Sequence, residues 1–260
     1  MKRLILAAVL AAGFTGAVQA DDALKAAIAS EHRADNAKRD VYRHPYETLS
    51  FFSIKPTMTV VELVPGGGWY TEILAPYLRD KGKYIGAAAA PDKKSGMALR
   101  AKFDANPGLY GKAVTAVFEP PSRYEIAPAG SVDMVLTFRN LHNWVGNGED
   151  SLKTTFKEIH KVLKPGGVLG IVDHRLPASM TQDKEASSGY VHEAWVIKMV
   201  ESAGFKLAGK SEVNANPKDK ADHEKGVWTL PPVLANKDKD REKYMAIGES
   251  DRMTLKFVKQ

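Results

Sequence analysis

The sequence contains no cysteine among its 260 residues. This absence excludes disulfide bonds, cysteine-ligated zinc, iron–sulfur clusters and thiol nucleophiles. After residue 20 the chain also has no apolar run long enough to cross a bilayer, so we expect no stable membrane anchor there. With 44% hydrophobic and 26% charged residues, the composition is that of a globular protein with a core of its own.

No charge of one sign accumulates along the chain, although the formal net charge is +6. Lysine and arginine alternate with aspartate and glutamate in the runs 218–225 and 236–243. Interspersed signs are typical of a solvated surface, whereas a nucleic-acid-binding face needs clustered positive charge. The charge pattern therefore predicts no nucleic-acid partner.

The first twenty residues have the pattern of a secretory signal peptide. Lys2 and Arg3 precede a short apolar stretch, and Val18 and Ala20 occupy the −3 and −1 positions of a small-residue cleavage site. The alternative is an uncleaved anchor, for which the apolar stretch is short. We predict cleavage after Ala20 and a periplasmic or secreted mature protein.

From residue 57 onward, short apolar runs alternate with helical patterns. Strands are predicted at 58–63, 83–88, 113–118, 132–138, 168–173, 205–213 and 251–258. This alternation indicates an α/β fold with a seven-stranded, doubly wound, mostly parallel sheet. Residues 21–56 form a predicted N-terminal segment with a helix over 21–44. Residues 57–260 form the sheet domain, with an insertion at about 214–250. This insertion either folds over the ligand crevice as a lid or packs at the edge of the sheet.

Ligands of such sheets bind at the carboxyl ends of the strands. The first strand ends in the loop Glu62-Leu-Val-Pro-Gly-Gly-Gly-Trp-Tyr70, whose glycines allow a sharp turn and a close approach of the backbone to a ligand. Thr71 stands where a dinucleotide fingerprint needs its third glycine, and no phosphate-binding lysine follows. The loop is therefore either a cradle for another ligand or only a tight strand-to-helix turn.

The chain resembles the class I S-adenosylmethionine-dependent methyltransferases. Their first motif runs acid-x-Gly-x-Gly-x-Gly; Glu62, Gly66 and Gly68 match it, and Val64 replaces the first glycine. Similar segments follow at 132–144, 156–173 and 201–205. The blocks 39–49 and 65–70 also resemble a branch of exported methyltransferases.

The resemblance implies a Rossmann-like methyltransferase fold, S-adenosylmethionine as cofactor and methyl transfer to a small molecule. The implied cofactor-binding residues are Glu62, Gly66, Gly67, Gly68, Trp69, Tyr70, Glu119, Arg139 and Asn140. Several of them have an alternative role: Glu119 as a solvated acid, Arg139 as the partner of a nearby aspartate, and the two aromatic residues as core. The family's acid for the cofactor ribose is missing near Ala88, although Asp92 follows closely.

Three residues after the fourth and fifth strands are candidates for catalysis. His142 and His174 have the pKa range of a general base, and Asp173 precedes His174. A structural role remains open for each histidine. Neither H-x-x-x-H nor H-E-x-x-H spacing occurs, so we predict no metal site.

A non-catalytic, exported ligand-binding protein on the same fold is the alternative function. The predicted export and the missing ribose acid favour it, because S-adenosylmethionine is made and used in the cytoplasm.

Overall fold

A computed structural model describes residues 21–260, so the predicted signal peptide lies outside the described residues. One sheet contains the strands β1 (Thr59–Leu63), β2 (Lys83–Ala88), β3 (Val114–Glu119), β4 (Arg123–Glu125), β5 (Val132–Phe138), β6 (Leu163–His174), β7 (Phe205–Ser211) and β8 (Arg252–Lys259). Their order is β4-β3-β2-β1-β5-β6-β8-β7. Neighbouring strands from β3 to β6 pair in parallel, whereas β4 and β8 run antiparallel to their neighbours.

The predicted α/β class is confirmed, but the sheet has eight strands and not seven. The additional strand is β4, which pairs Tyr124 with Phe118 in a hairpin at the edge of the sheet. Its three residues are too short to produce an alternating pattern in the sequence.

The helices are α1 (Asp22–Ile28), α2 (Ala34–Ala37), α3 (Asp40–Arg43), α4 (Pro45–Phe51), α5 (Thr71–Leu78), α6 (Lys94–Ala105), α7 (Pro107–Tyr110), α8 (His142–Val145), α9 (Glu149–Val162), α10 (Glu193–Glu201) and α11 (Arg241–Ile247). Two 3₁₀ turns, Glu31–Arg33 and Gly226–Thr229, complete the described elements. None of the described helices has the length and apolar character needed to span a membrane.

Each face of the sheet buries its own apolar cluster. On one face, Phe156 and Ile159 of α9 and Val200 of α10 pack against the central strands. On the other face, residues of α1, α4, α5 and α6 form the second cluster, which includes Phe52 and Leu74. Burial on both faces explains why the central strands read as nearly continuous apolar runs.

The single helix predicted over residues 21–44 is wrong, because the segment breaks into short helical pieces. Asp21 caps α1 by accepting a hydrogen bond from the backbone N–H of Leu24. Ser30 is extended, and His44 adopts a left-handed conformation with φ of 40°. Pro45 then begins α4. These turns allow the polar side chains of the segment to reach the sheet, which a straight helix would not.

Successive strands are added to one side of β1 up to β4 and to the other side from β5 onward. The crevice of an α/β sheet opens at such a switch point, which here lies between β1 and β5. The glycine loop follows β1, Arg139 and Asn140 follow β5, and Asp173 and His174 end β6. The candidate residues of three strands therefore meet at one edge of the sheet.

We expect Phe52→Ala to lower the free energy of unfolding by about 3–5 kcal/mol. The Phe52 ring is fully buried against β6, where a Cβ added to Gly170 would come within 3.0 Å of it. Urea denaturation would measure the loss. Phe51→Ala is the matched control, because that side chain is only partly buried and should cost less. Equal losses would contradict the described packing of α4 on the sheet.

Candidate functional site: a crevice at the ends of β1, β5 and β6

The glycine loop keeps one flank open. Gly66 and Gly68 have positive φ angles of 59° and 79°, which residues with a side chain rarely adopt. A Cβ added to Gly66 or Gly67 would meet no atom within 4 Å, whereas one on Gly68 would collide with Lys102. The loop is therefore open beside Gly66 and Gly67, whereas Lys102 covers it beside Gly68.

Val64 occupies the position of the missing first glycine and adopts the backbone conformation of a glycine. Its φ is 50°, a strained value for a β-branched residue. The backbone N–H of Val64 donates to the carbonyl of Ala87 at 2.7 Å, and the side-chain amide of Asn140 donates to the Val64 carbonyl at 3.1 Å. Asn140 therefore fixes the loop, and its amide is engaged with the backbone.

Glu62 is buried beneath the loop. Its carboxylate accepts hydrogen bonds from the Tyr84 hydroxyl at 2.6 Å and from the Thr71 hydroxyl at 2.8 Å. Burial raises the pKa of Glu62 to about 7, although these two hydrogen bonds act in the opposite direction. The side chain thus fixes the start of α5 against β2.

Trp69 and Tyr70 are held by protein groups. The guanidinium groups of Arg33 and Arg43 lie 5.0 and 4.6 Å from the Trp69 ring, and the indole N–H donates to the carbonyl of Asn36. Tyr70 stacks on Phe138 with 3.5 Å between ring centroids. The faces of the two aromatic residues that the resemblance assigns to cofactor binding are therefore covered by arginine and phenylalanine in this conformation.

A small cavity of about 20 Å³ remains between the glycine loop and Arg139, two of the places where the resemblance implies cofactor contacts. This volume has room for about one water molecule. An apolar pocket of about 200 Å³ lies farther along, between α6 and the strands β2 and β3. Ala88 and Ala89 line it, so no acid stands at the end of β2.

Glu119 ends β3 and lies in the β3–β4 hairpin. One of its carboxylate oxygens is 3.5 Å from the guanidinium of Arg123. Asp92, the acid nearest to the missing ribose partner, also acts on Arg123 electrostatically. Both acids thus lie beside an arginine at this edge of the sheet.

Asp173 is hydrogen-bonded to both candidate catalytic histidines. One carboxylate oxygen accepts from Nδ1 of His142 and from the backbone N–H of His174, both at 2.8 Å. The other oxygen accepts from the backbone N–H of His142 at 3.0 Å. Because the carboxylate is the acceptor, Nδ1 of His142 is the donor, and in the neutral ring Nε2 carries the lone pair.

His174 lies beside His142 with 5.1 Å between ring centroids, and its Nδ1 is hydrogen-bonded to the Ser250 hydroxyl. Burial, together with the electrostatic effect of the adjacent His142, Arg139 and the neighbouring arginines, holds the pKa of His174 well below its usual range. We therefore expect a neutral His174 at neutral pH.

His142, Asp173 and His174 also bring three potential metal-ligand atoms within 4.8 Å of one another. No metal-ligand spacing occurs in the sequence because the three residues come from the ends of two neighbouring strands. Both Asp173 oxygens already accept hydrogen bonds from protein N–H groups, and the nearest charged groups are arginines. This environment favours a hydrogen-bonded pair over a cation site. Two other histidines do not join this cluster: Nε2 of His192 is hydrogen-bonded to the Met180 carbonyl, and Nε2 of His223 to the Asp219 carboxylate.

Sequence reasoning missed a buried cluster of charged residues beside these histidines. Glu249 accepts from Nε of Arg39 at 2.7 Å, from Nε of Arg43 at 3.2 Å and from a terminal guanidinium nitrogen of Arg252 at 3.3 Å. Burial raises the pKa of Glu249, but the surrounding guanidinium groups outweigh it and hold the value below the usual range. The only sequence signal was that residues 33–44 carry more polar groups than a core-facing helix requires.

The sheet order, the glycine loop and the crevice define the Rossmann-like fold of class I methyltransferases. Residues 61–171, which extend from β1 into β6, match the family described as a methyltransferase domain. No match was found among curated proteins.

Solved structures share this fold at low sequence identity. A SAM-dependent methyltransferase from Aquifex aeolicus is 18% identical, with a TM-score of 0.58 over 87% of this chain and 95% of its own. The cyclase SpnF is 15% identical, with a TM-score of 0.56 over 89% and 83%. The trans-methyltransferase CalH, solved with SAH, is 16% identical, with a TM-score of 0.51 over 83% and 55%. At such identities these likenesses establish the fold alone.

Replacement of Glu249 by glutamine should lower the free energy of unfolding by about 3–5 kcal/mol at neutral pH, because it leaves buried guanidinium groups without their counter-charge. The folded-state pKa of Glu249 is depressed, so its contribution is present above pH 4.5 and is lost as the pH falls through the folded-state value. Urea unfolding of both proteins at several pH values checks this. Glu224→Gln is the control, because it removes one partner of an exposed ion pair and should not change the free energy of unfolding measurably. An E249Q variant as stable as the wild type would refute the prediction.

Glu62 should give stability the opposite pH dependence. Its folded-state pKa of about 7 exceeds the ordinary 4.5, so folding favours the protonated acid and stability falls as the pH rises from 4.5 to 7. A shift of this size corresponds to about 3 kcal/mol. The difference in unfolding free energy between wild type and Glu62→Gln, measured across this range, should therefore change with pH. Parallel pH curves would show that the acid is not buried as described.

Proposed function

We propose that this chain transfers the methyl group of S-adenosylmethionine to a small-molecule acceptor. The methyltransferase-domain match and the fold support the reaction class. The observation that carries the proposal is the strand–glycine loop–helix unit of β1 and α5, whose Gly66 and Gly67 adjoin open space at the carboxyl edge of the sheet. A backbone without side chains and with free N–H groups at this point suits a close approach by a ligand.

The described conformation fits only part of the cofactor. The open flank of the glycine loop and the apolar pocket near Ala88 leave room for an adenosine group. The cavity of about 20 Å³ between Tyr70, Phe138 and Arg139 is too small for a methionine group. Binding under our proposal therefore requires these side chains, or Arg43 beside them, to move.

His142 is the residue best placed to accept a proton from an acceptor hydroxyl. Its Nδ1–H is fixed by Asp173, which directs the ring and leaves Nε2 as the proton acceptor. His142, Arg139, His174 and Trp228 line one cavity of about 180 Å³, and the Trp228 ring comes from the C-terminal insertion. In this arrangement Asp173 is a positioning residue and His174 a neutral neighbour.

We further propose that the mature protein acts outside the cytoplasm on a small molecule, without a nucleic-acid partner. The signal-peptide pattern of residues 1–20 and the mixed surface charges support this. The alternative is an exported protein that binds a ligand in the same crevice without transferring a methyl group. It is favoured by the side chains that fill the end of the crevice at Arg139.

Calorimetric titration of S-adenosylmethionine and S-adenosylhomocysteine distinguishes these functions. We expect micromolar binding to the wild type and loss of binding in Gly66→Val, because the added side chain enters the open flank of the loop. Gly130→Val is the matched control. Gly130 has a φ of 62°, close to the 59° of Gly66, and likewise has no atom within 4 Å of an added Cβ, but it lies before β5.

Both variants should lose similar stability through backbone strain, and only the Gly66 variant should lose the ligand. No heat from the wild type at millimolar ligand would refute the methyltransferase proposal. Equal loss of binding in both variants would show that the loop does not hold the cofactor.

A further inference from the structure

The crevice contains more positive charge than its carboxylates balance. Arg39, Arg43 and Arg252 all pair with Glu249, which is one carboxylate for three guanidinium groups. A terminal nitrogen of Arg43, Nη2, is buried and has no hydrogen-bond partner among the described residues. Asp173, the other buried acid nearby, is occupied by His142 and the backbone.

Arg139 adds a fourth guanidinium to this surplus. The described residues give it no side-chain hydrogen bond, and Glu249 acts on it only through space. Its backbone has a φ of 60° and is fixed by a hydrogen bond to the Val172 carbonyl, so the side chain starts from a defined position at the end of β5. A half-buried guanidinium without a carboxylate is unusual, because loss of hydration is normally offset by a partner.

The free side of Arg139 faces a cavity. The space of about 180 Å³ is bounded by Arg139, His142 and His174 on the sheet side and by Trp228, Pro232 and Ser250 from the C-terminal insertion. Guanidinium and imidazole groups therefore form one wall. The other wall is apolar at Trp228 and Pro232 and polar at Ser250 and Glu249, whose carboxylate is already shared by three guanidinium groups. Such a cavity suits a small molecule with one charged end and an apolar body.

The positive charge around the cavity determines whether it binds a cation or an anion. A divalent cation at His142 and His174 would be repelled by Arg139, Arg43 and Arg252, whose charges already act on His174. A carboxylate or phosphate would be attracted by the same groups, and the flat fork of a guanidinium binds such anions through two parallel hydrogen bonds.

We propose that this cavity, called the Arg139 cavity below, binds the carboxylate or phosphate group of the ligand, so that the methyl acceptor is a small organic anion. The assignment of this anion as the methyl acceptor rests on the proposed function, whereas the anion site itself does not. An anionic group held by Arg139 would place the rest of the molecule beside Nε2 of His142 and under Trp228, where a hydroxyl could lose its proton.

Titration calorimetry with inorganic phosphate and with acetate, at constant ionic strength, tests the site. We expect saturable binding of at least one anion to the wild-type protein and at least about a tenfold weaker affinity in Arg139→Gln, the loss that follows from removing a charged hydrogen-bond donor. Arg139→Lys keeps the charge without the fork and should be intermediate. Arg241→Gln, at an exposed position, is the control and should bind as the wild type does.

The stability of Arg139→Gln provides an independent readout. Because the substitution removes an unpaired positive charge, its melting temperature in anion-free buffer should equal or exceed that of the wild type, and added anion should no longer raise it. A stronger response to phosphate would identify phosphorylated acceptors, and a stronger response to acetate would identify carboxylic acids. Absence of an anion response in the wild type, or equal responses in the wild type and R139Q, would overturn the proposal.

Competition with S-adenosylmethionine separates the two proposals. If the anion belongs to the acceptor, phosphate or acetate should bind equally well with and without the cofactor. Mutual exclusion would mean that Arg139 holds the cofactor carboxylate, which overturns the acceptor inference and supports methyl transfer. An anion response lost in R139Q without any cofactor binding would sustain the anion site and refute only the methyltransferase function.

Discussion

The carboxylate of Glu249 is the interaction on which the crevice depends. It precedes β8 and binds Arg39 and Arg43 from the N-terminal segment, more than 200 positions earlier in the chain, together with Arg252 at the start of β8. Because these guanidinium groups are buried or nearly so, their mutual repulsion would separate the N-terminal segment from the sheet without a shared counter-charge. One acid thus joins the two ends of the described chain at the edge of the sheet where ligands bind.

The same arginines determine what the crevice can accept. Arg43 lies over Trp69 and borders the cavity of about 20 Å³ beside Tyr70, so little space remains between the glycine loop and Arg139. Arg139 lies at the boundary between this filled end and the open cavity beside His142. The arginines that leave little space beside the glycine loop therefore also make the neighbouring cavity suitable for an anion.

Local sequence signals were sufficient to predict a strand where the strand is one continuous, buried apolar run. The strand boundaries of β2 and β5 were predicted to the residue, because each is an apolar run between polar turns. The prediction of one N-terminal helix failed because Arg33 and Arg43 are buried and Arg43 pairs with Glu249, 206 residues away, which no helical periodicity reports. The fifth strand was predicted at 168–173, whereas β6 begins at Leu163, and its pairing register with β5 shifts between Leu163 and Val168.

The sequence by itself determined the fold class, the glycine loop and the position of His142, Asp173 and His174 at strand ends, because alternating apolar segments specify a parallel sheet and its carboxyl edge. Only the tertiary structure decided which of these groups touch. The pairing of His142 with Asp173 depends on the register of β5 beside β6. The surplus of arginines around Glu249 depends on the folding of both chain ends over that edge. Charges far apart in sequence interact through space, and no local pattern records the distance between them.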